Sequence, residues 1–231
     1  MKLNTNSNIY TITYATIVVV IVAVLLALVN QSLKPKQDAN IKLDQQKQML
    51  VALNFNLDSV ADPAAQYEEL VRDTILMNED STKANIIHFE VNGEPKYILR
   101  LHGAGLWGGI GGYLALNEDK NTIYGINFNH ESETPGLGAL IVEKPFREQF
   151  KNKQIRNEEG EVVSVLVLKK GNKAENGEAQ VDAVSGATIT STGVSDMLKA
   201  NLEEYKEFLS EPSDVSCQPS EEIVKPIKEE E

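Results

Sequence analysis

The chain is 231 residues long and carries 34 acidic against 22 basic side chains, a net charge of −12 at pH 7. That balance leaves no basic stripe to displace phosphate counterions, which argues against nucleic acid as a partner. The single cysteine, Cys217, excludes an intrachain disulfide and fits an oxidising or a reducing compartment equally.

Residues 9–29, IYTITYATIVVVIVAVLLALV, are 21 residues without a charge. At ~1.5 Å per residue a helix of that length spans the roughly 30 Å hydrocarbon core of a bilayer. The run is too long for the apolar part of a cleaved signal peptide, and no small-x-small cleavage site follows Leu28. Residues 1–30 therefore read as a single membrane-spanning anchor. Lys2 lies on one side of it and Lys34 and Lys36 on the other, so the flanking charges do not decide its orientation.

Beyond the anchor, Leu43, Met49, Leu50 and Leu53 interleaved with Lys and Gln predict a helix leaving the membrane. DPAAQYEELVRDTI (62–75) predicts a second, with proline in its first turn. In NIIHFEVNGEPKYILRL (85–101) two β-rich runs flank Asn92-Gly93, a hairpin signal, with Ile87, Phe89 and Val91 alternating onto one face. YLAL (113–116), TIYGINFNH (122–130) and VVSVLVLK (162–169) are further strand candidates. A last helix is predicted from about Thr192 to Leu209, with Val194, Met197, Leu198, Leu202, Tyr205 and Leu209 on one face. Strands follow strands without regularly intervening helices, so the expected class is α+β: one N-terminal transmembrane helix, then a soluble domain (31–209) with a mainly antiparallel sheet and flanking helices. Residues 210–231 hold seven acidic and two basic side chains and too little apolar surface to offset ordering entropy, so they read as an acidic disordered tail.

Residues 103–108, GAGLWG, satisfy G-x-G-x-x-G, but a dinucleotide site needs a helix immediately after the glycines. Here Gly108, Gly109, Gly111 and Gly112 continue the run, and at ~1 kcal/mol each against Ala they would dissolve a first helical turn. Six glycines within 103–112 surround Leu106 and the chain's one tryptophan, Trp107. Two readings fit: a backbone that approaches a flat ligand while Leu106 and Trp107 cover its ring, or a flexible glycine loop with Trp107 plugging a core.

DAVSGATITSTG (182–193) holds no acid/base pair, metal-ligand cluster or Ser/His/Asp constellation. It does offer Ser185, Thr188, Thr190, Ser191 and Thr192 hydroxyls, a tight turn at Gly186, and a helix whose free N–H groups and dipole suit a phosphate. A Ser/Thr-rich N-cap without a ligand explains the same composition.

Asp182, Ser185, Gly186, Ala187 and Thr188 spell D-x-x-S-G-A-T, which resembles the flavinylation sequence of the FMN-binding domain family. His130 with ETPGLG (133–138), GLW (105–107) and the single anchor add to the resemblance, which is strongest to the family of C subunits of sodium-translocating NADH:quinone reductases. Two residues separate His130 from Glu133 where the family pattern has one, so His130 is read as a satisfied loop histidine.

The resemblance implies FMN joined by a phosphoester to Thr188, with Thr190 the next candidate for attachment. It implies Leu106, Trp107 and Leu137 packed on the ring, and a loop beside it shaped by Thr134, Pro135, Gly136 and Gly138. Ser185, Gly186, Ala187 and Thr190 would form the phosphate turn. It further implies an electron-relaying subunit of an NADH:quinone reductase in the cytoplasmic membrane, with the FMN domain on the periplasmic side. Its partners would be the other subunits of the complex and a flavin transferase that installs FMN from FAD. The FMN subunit of an Rnf-type ferredoxin:NAD reductase shares the flavinylation and ETPGLG motifs, and a membrane-tethered scaffold without a cofactor is the alternative of another class.

Overall fold

The computed structural model describes residues 8–76, 85–169, 171–172 and 179–210. Nearly all of the predicted acidic tail, Cys217 included, lies outside them.

The expected anchor and the helix expected after it are one helix, α1, Asn8–Ala52. It is long and apolar enough to cross a membrane, and its apolar stretch is wholly exposed. Pro35, which forfeits a backbone hydrogen bond, falls beyond the apolar run. Burial begins only at the far end, where Gln46, Met49, Leu50 and Ala52 reach the soluble domain.

The helix expected over 62–75 is corrected to a helix and a strand. Asp62 caps α2 (Pro63–Leu70) by accepting from the N–H groups of Ala64 and Ala65, with proline in the first turn as anticipated. At Val71 the chain turns extended and becomes β1 (Val71–Leu76), paired antiparallel with β2 (Asn85–Val91). Strand pairing with the next segment of the chain, supported by the Arg72–Glu90 ion pair (2.9 Å), overrides the helical pattern of residues 71–75.

β2 returns through Asn92 (φ 55°) and Gly93 (φ 81°) into β3 (Glu94–Ala104), the hairpin that Asn-Gly predicts. β3 pairs with β4 (Gly109–Asn117) and β4 with β5 (Ile123–His130), completing an antiparallel meander of order β1-β2-β3-β4-β5. The short helix α3 (Lys144–Arg147) follows. β6 (Val165–Leu168) and β7 (Ala179–Asp182) form a separate parallel pair. The class is α+β, with a mainly antiparallel sheet as expected.

Each face of the meander is covered. On one, Met49, Ala52 and Leu53 at the end of α1 pack with Phe89, Val91, Ile98, Tyr113 and Ala115. On the other lie α4 (Thr188–Glu204) and α5 (Lys206–Ser210), whose Val194, Met197, Leu198, Leu202 and Leu209 join Leu99, Leu101, Leu114 and Phe128. The apolar face read from the sequence is therefore the packed face, but the helix starts four residues before the expected Thr192. A turn at Gly186 (φ 77°) and the bond from the Ala187 N–H to Val184 O bring Thr188 directly into the first helical position.

Contacts set the direction of both helices. α4 runs antiparallel to β3: the Tyr205 hydroxyl donates to Arg100 O, and the buried Asn201 side chain pairs with the His102 N–H and C=O. A Cβ on Gly103 would stand 2.7 Å from Met197 Cβ, and one on Gly193 2.5 Å from Ala104 O, so α4 is pressed onto the end of β3. α1 runs antiparallel to β5, with Asn54 Nδ2 donating to Tyr124 O and Asn129 Nδ2 donating to Gln48 Oε1 (both 2.7 Å). The β3–β4 loop, the end of β5 and the start of α4 thus share one end of the domain, the end nearer the apolar stretch of α1.

Candidate functional site

That end gathers three of the segments singled out by sequence. GAGLWG is the β3–β4 loop, closed by the Gly105 N–H donating to Gly108 O (2.8 Å). A strand, β4, follows it directly, so no helix N-terminus stands behind these glycines and the dinucleotide reading is excluded.

Of the two readings of the glycine run, the core-plug one fails. Trp107 is 67% exposed and plugs no core. Part of the run is glycine because the protein's own atoms come close: a Cβ on Gly105 would lie 2.4 Å from Glu133 Oε1, and one on Gly111 2.9 Å from Leu101 O. Leu106 and Trp107 nonetheless project into solvent, and Leu137 and Ile189 are likewise exposed large apolar side chains.

Glu133 joins the segments. It is 4% exposed. Its Oε1 accepts from the Trp107 N–H at 3.0 Å, its Oε2 accepts from the Thr190 hydroxyl at 2.6 Å, and the Leu106 N–H also donates to the carboxylate. Burial alone would push this carboxyl up, but the Thr190 hydroxyl, the two N–H donors and nearby His130 outweigh it and hold the group below the usual carboxylate range. The N–H groups of a phosphate-loop look-alike are thus engaged by a carboxylate of the same chain. His130 Nδ1 accepts from the Glu133 N–H (3.3 Å), the satisfied loop role expected of it.

Gly138 makes this carboxylate's position possible, since a Cβ there would fall 2.3 Å from Glu133 Oε2 and 2.7 Å from Thr190 Oγ1. Between them the ETPGLG loop turns at Gly136 (φ 75°), with the Leu137 and Ala139 N–H groups donating to Thr134 O. Thr134, Pro135, Gly136 and Leu137 are exposed, and Leu137 lies over the SGAT turn, its Cδ2 2.9 Å from where a Gly186 Cβ would be.

In the third segment, Ser185, Gly186 and Thr188 are exposed, while Ala187 and Thr190 are buried. Thr188 opens a 17-residue helix that has no side-chain cap, leaving first-turn N–H groups and the positive end of the helix dipole beside its hydroxyl. The Thr190 hydroxyl, expected beside the phosphate, is instead 1% exposed and turned inward onto Glu133. Glu133 and Ile189 join the site without any individual signal in the sequence.

A cleft of about 610 Å³ adjoins the loop on the α1 side, lined among others by Asn40 and Asp44 of α1 and by Gly103, Gly109 and Glu131. Asn40 and Asp44 lie roughly 15–25 Å along the helix axis from the end of the apolar run, at ~1.5 Å per residue.

Known proteins share this arrangement. Residues 105–203, which contain GLW, ETPGLG and the SGAT turn, match the FMN-binding domain family. The C subunit of the Na(+)-translocating NADH-quinone reductase of Haemophilus ducreyi is 28% identical over 236 aligned residues, covering 86% of this chain and 91% of that one. The corresponding subunit of Vibrio alginolyticus is 39% identical over 99 residues, 43% of this chain and 38% of its own. The crystal structure of the same subunit from Parabacteroides distasonis superposes with a TM-score of 0.70 at 38% identity, covering 78% of this chain and 98% of that one. With the fold, the membrane-length helix and the three segments all accounted for, the chain belongs to the family of C subunits of Na(+)-translocating NADH-quinone reductases, within the FMN-binding domain family.

Proposed function

We propose that this chain is the electron-relaying subunit of a sodium-pumping NADH:quinone reductase, carrying FMN linked through its phosphate to Thr188. The observation that carries the reading is the convergence at one end of the domain of an exposed threonine on an uncapped helix start and exposed apolar side chains from two other segments. A scaffold without a cofactor gives no reason for Leu106, Trp107, Leu137 and Ile189 to stand in water around that threonine.

The residues fit the group. FMN, when bound, supplies the redox chemistry at its isoalloxazine ring, and the protein supplies position and shielding. Thr188 Oγ1 is the attachment atom, and the first-turn N–H groups of α4 with the Ser185 hydroxyl would hold the phosphate oxygens. Leu106, Trp107 and Leu137 would cover the ring against water, with Thr134, Pro135, Gly136 and Gly138 shaping the loop that presents Leu137. For attachment, a flavin transferase joins the Thr188 oxygen to the FMN phosphorus of FAD. The pyrophosphate bond breaks, AMP leaves and the hydroxyl proton is released. A covalent tether holds the cofactor at high effective concentration without blocking its ring.

The test is the full chain co-expressed with a flavin transferase that is active on a control substrate. A denaturing gel under ultraviolet light is expected to show a fluorescent band at the chain's mass, and a dark band would overturn the covalent reading.

In this reading the other subunits of the complex are the partners of this domain, the apolar part of α1 holds it at the cytoplasmic membrane, and the FMN domain lies on the periplasmic side, an orientation the flanking charges allow without deciding. The site end of the domain faces back toward the bilayer, which favours exchange of electrons with membrane-embedded subunits. A reporter active only in the cytoplasm, fused after Glu231, is expected to stay silent. Full reporter activity would reverse the topology.

A further inference from the structure

We infer that Glu133 is the positioning residue of the flavin site, tying the Leu106–Trp107 loop to the first turn of α4 so that the ring-covering side chains keep a fixed relation to Thr188. The inference rests on the flavin reading above for its purpose, but its geometry stands without a cofactor. One carboxylate takes its donors from 26 residues upstream, at Trp107, and from 57 residues downstream, at Thr190. The surroundings are built around this group: side chains at Gly105 and Gly138 would each enter the space of a different carboxylate oxygen. Its own backbone N–H is fixed in turn by His130 at the end of β5. A buried acceptor that satisfies two backbone N–H groups and a hydroxyl leaves all three unpaired when removed, so the loop must then move to reach water.

Glu133 meets Leu106 and Trp107 through their N–H groups, while their side chains are exposed to solvent. It acts through them. Removing it therefore changes how the ring is covered without changing whether flavin is attached, since attachment depends on the D-x-x-S-G-A-T segment.

Three variants of the full chain test this: Glu133→Ala, which removes the acceptor; Glu133→Gln, which keeps an acceptor of the same shape; and Thr190→Val, which removes only the tie to α4. Each is prepared with and without the flavin transferase, with circular dichroism confirming the fold. Without flavin, the readout is the emission anisotropy of Trp107, the one tryptophan of the chain. It is expected to fall in Glu133→Ala, to fall less in Thr190→Val, and to stay near the wild-type value in Glu133→Gln. With flavin, the amount that stays covalently on the chain after denaturation is expected to be unchanged, while iodide quenching of the native flavin rises severalfold in Glu133→Ala and returns close to the wild-type level in Glu133→Gln. If Glu133→Ala does not fold, Thr190→Val decides: unchanged anisotropy and quenching in that variant overturn the tie. Unchanged values in a folded Glu133→Ala overturn the inference outright. A wild-type chain that takes up no flavin defeats the covalent reading alone, because the Trp107 measurement still judges Glu133.

Discussion

Thr188→Ala is expected to abolish the covalent flavin band completely while leaving the fold and its stability nearly untouched. Thr188 is exposed at the first position of α4, where its hydroxyl caps nothing. Alanine is at least as good a helix former there, so the change in stability should stay within about 0.5 kcal/mol. No neighbouring hydroxyl is well placed to substitute. Thr190 and Ser191 are each 1% exposed, the first donating to Glu133 and the second accepting from the Val184 N–H. Thr192 is exposed, but its hydroxyl donates to Thr188 O one turn back. Ser185 is exposed and lies before the turn. Thr188→Ser, which keeps a hydroxyl at the same place, is expected to retain some attachment. A band of undiminished strength in Thr188→Ala would move the linkage to Ser185 or Thr192, and mass spectrometry of the flavinylated peptide would tell which.

The parts of this fold that are legible in the sequence are those decided within a few residues. The membrane-length helix follows from an uncharged run, the β2–β3 hairpin from Asn92-Gly93, and the packed face of α4 from its apolar spacing. Distant partners decide the rest. Even residues 71–75, which carry a helix-compatible pattern, are set by a tertiary contact, pairing with β2 across residues 77–84. α4 starts ahead of its apolar pattern because the Gly186 turn admits Thr and Ser, poor helix formers, into the first turn. The site divides in the same way. Its segments are visible as motifs, but Glu133, which unites them, takes its partners from both sides of the chain, and a lone Glu in a Gly/Pro loop carries no sign of burial. The glycines are legible as unusual, while the reason for them, close contact with other parts of the same chain, emerges only from the fold.

Gly112→Ala carries the largest expected cost to the fold. Gly112 sits in β4 between Leu101 of β3 and Phe128 of β5, with φ 154°. A Cβ there would stand 1.9 Å from Asn127 O, 2.9 Å from Asn127 C and 3.0 Å from Phe128 Cα. All three are backbone atoms of the paired strand, so no side chain can swing away to relieve the clash. Relief requires pulling β5 off β4 and loosening buried Phe128, which packs edge-on against Phe150. We expect a loss of about 3 kcal/mol or more, the range reached when strain and lost core packing combine. At roughly 2–4 °C per kcal/mol for a domain of this size, the thermal midpoint of the full chain in detergent should fall by ~6–12 °C. Gly93→Ala is the matched control: it too imposes alanine on a positive φ (81°), but a Cβ there meets nothing within 4 Å. It should cost only about 1–2 kcal/mol, the backbone penalty alone. The difference between the two midpoints then isolates the strand–strand contact. Since β4 and β5 lead respectively from the GLW loop and into ETPGLG, flavin retained by any folded Gly112→Ala protein should also be more open to quenchers. Equal midpoints for the two variants would mean that β5 yields at Asn127 without loss, and that the glycine is not what holds these strands together.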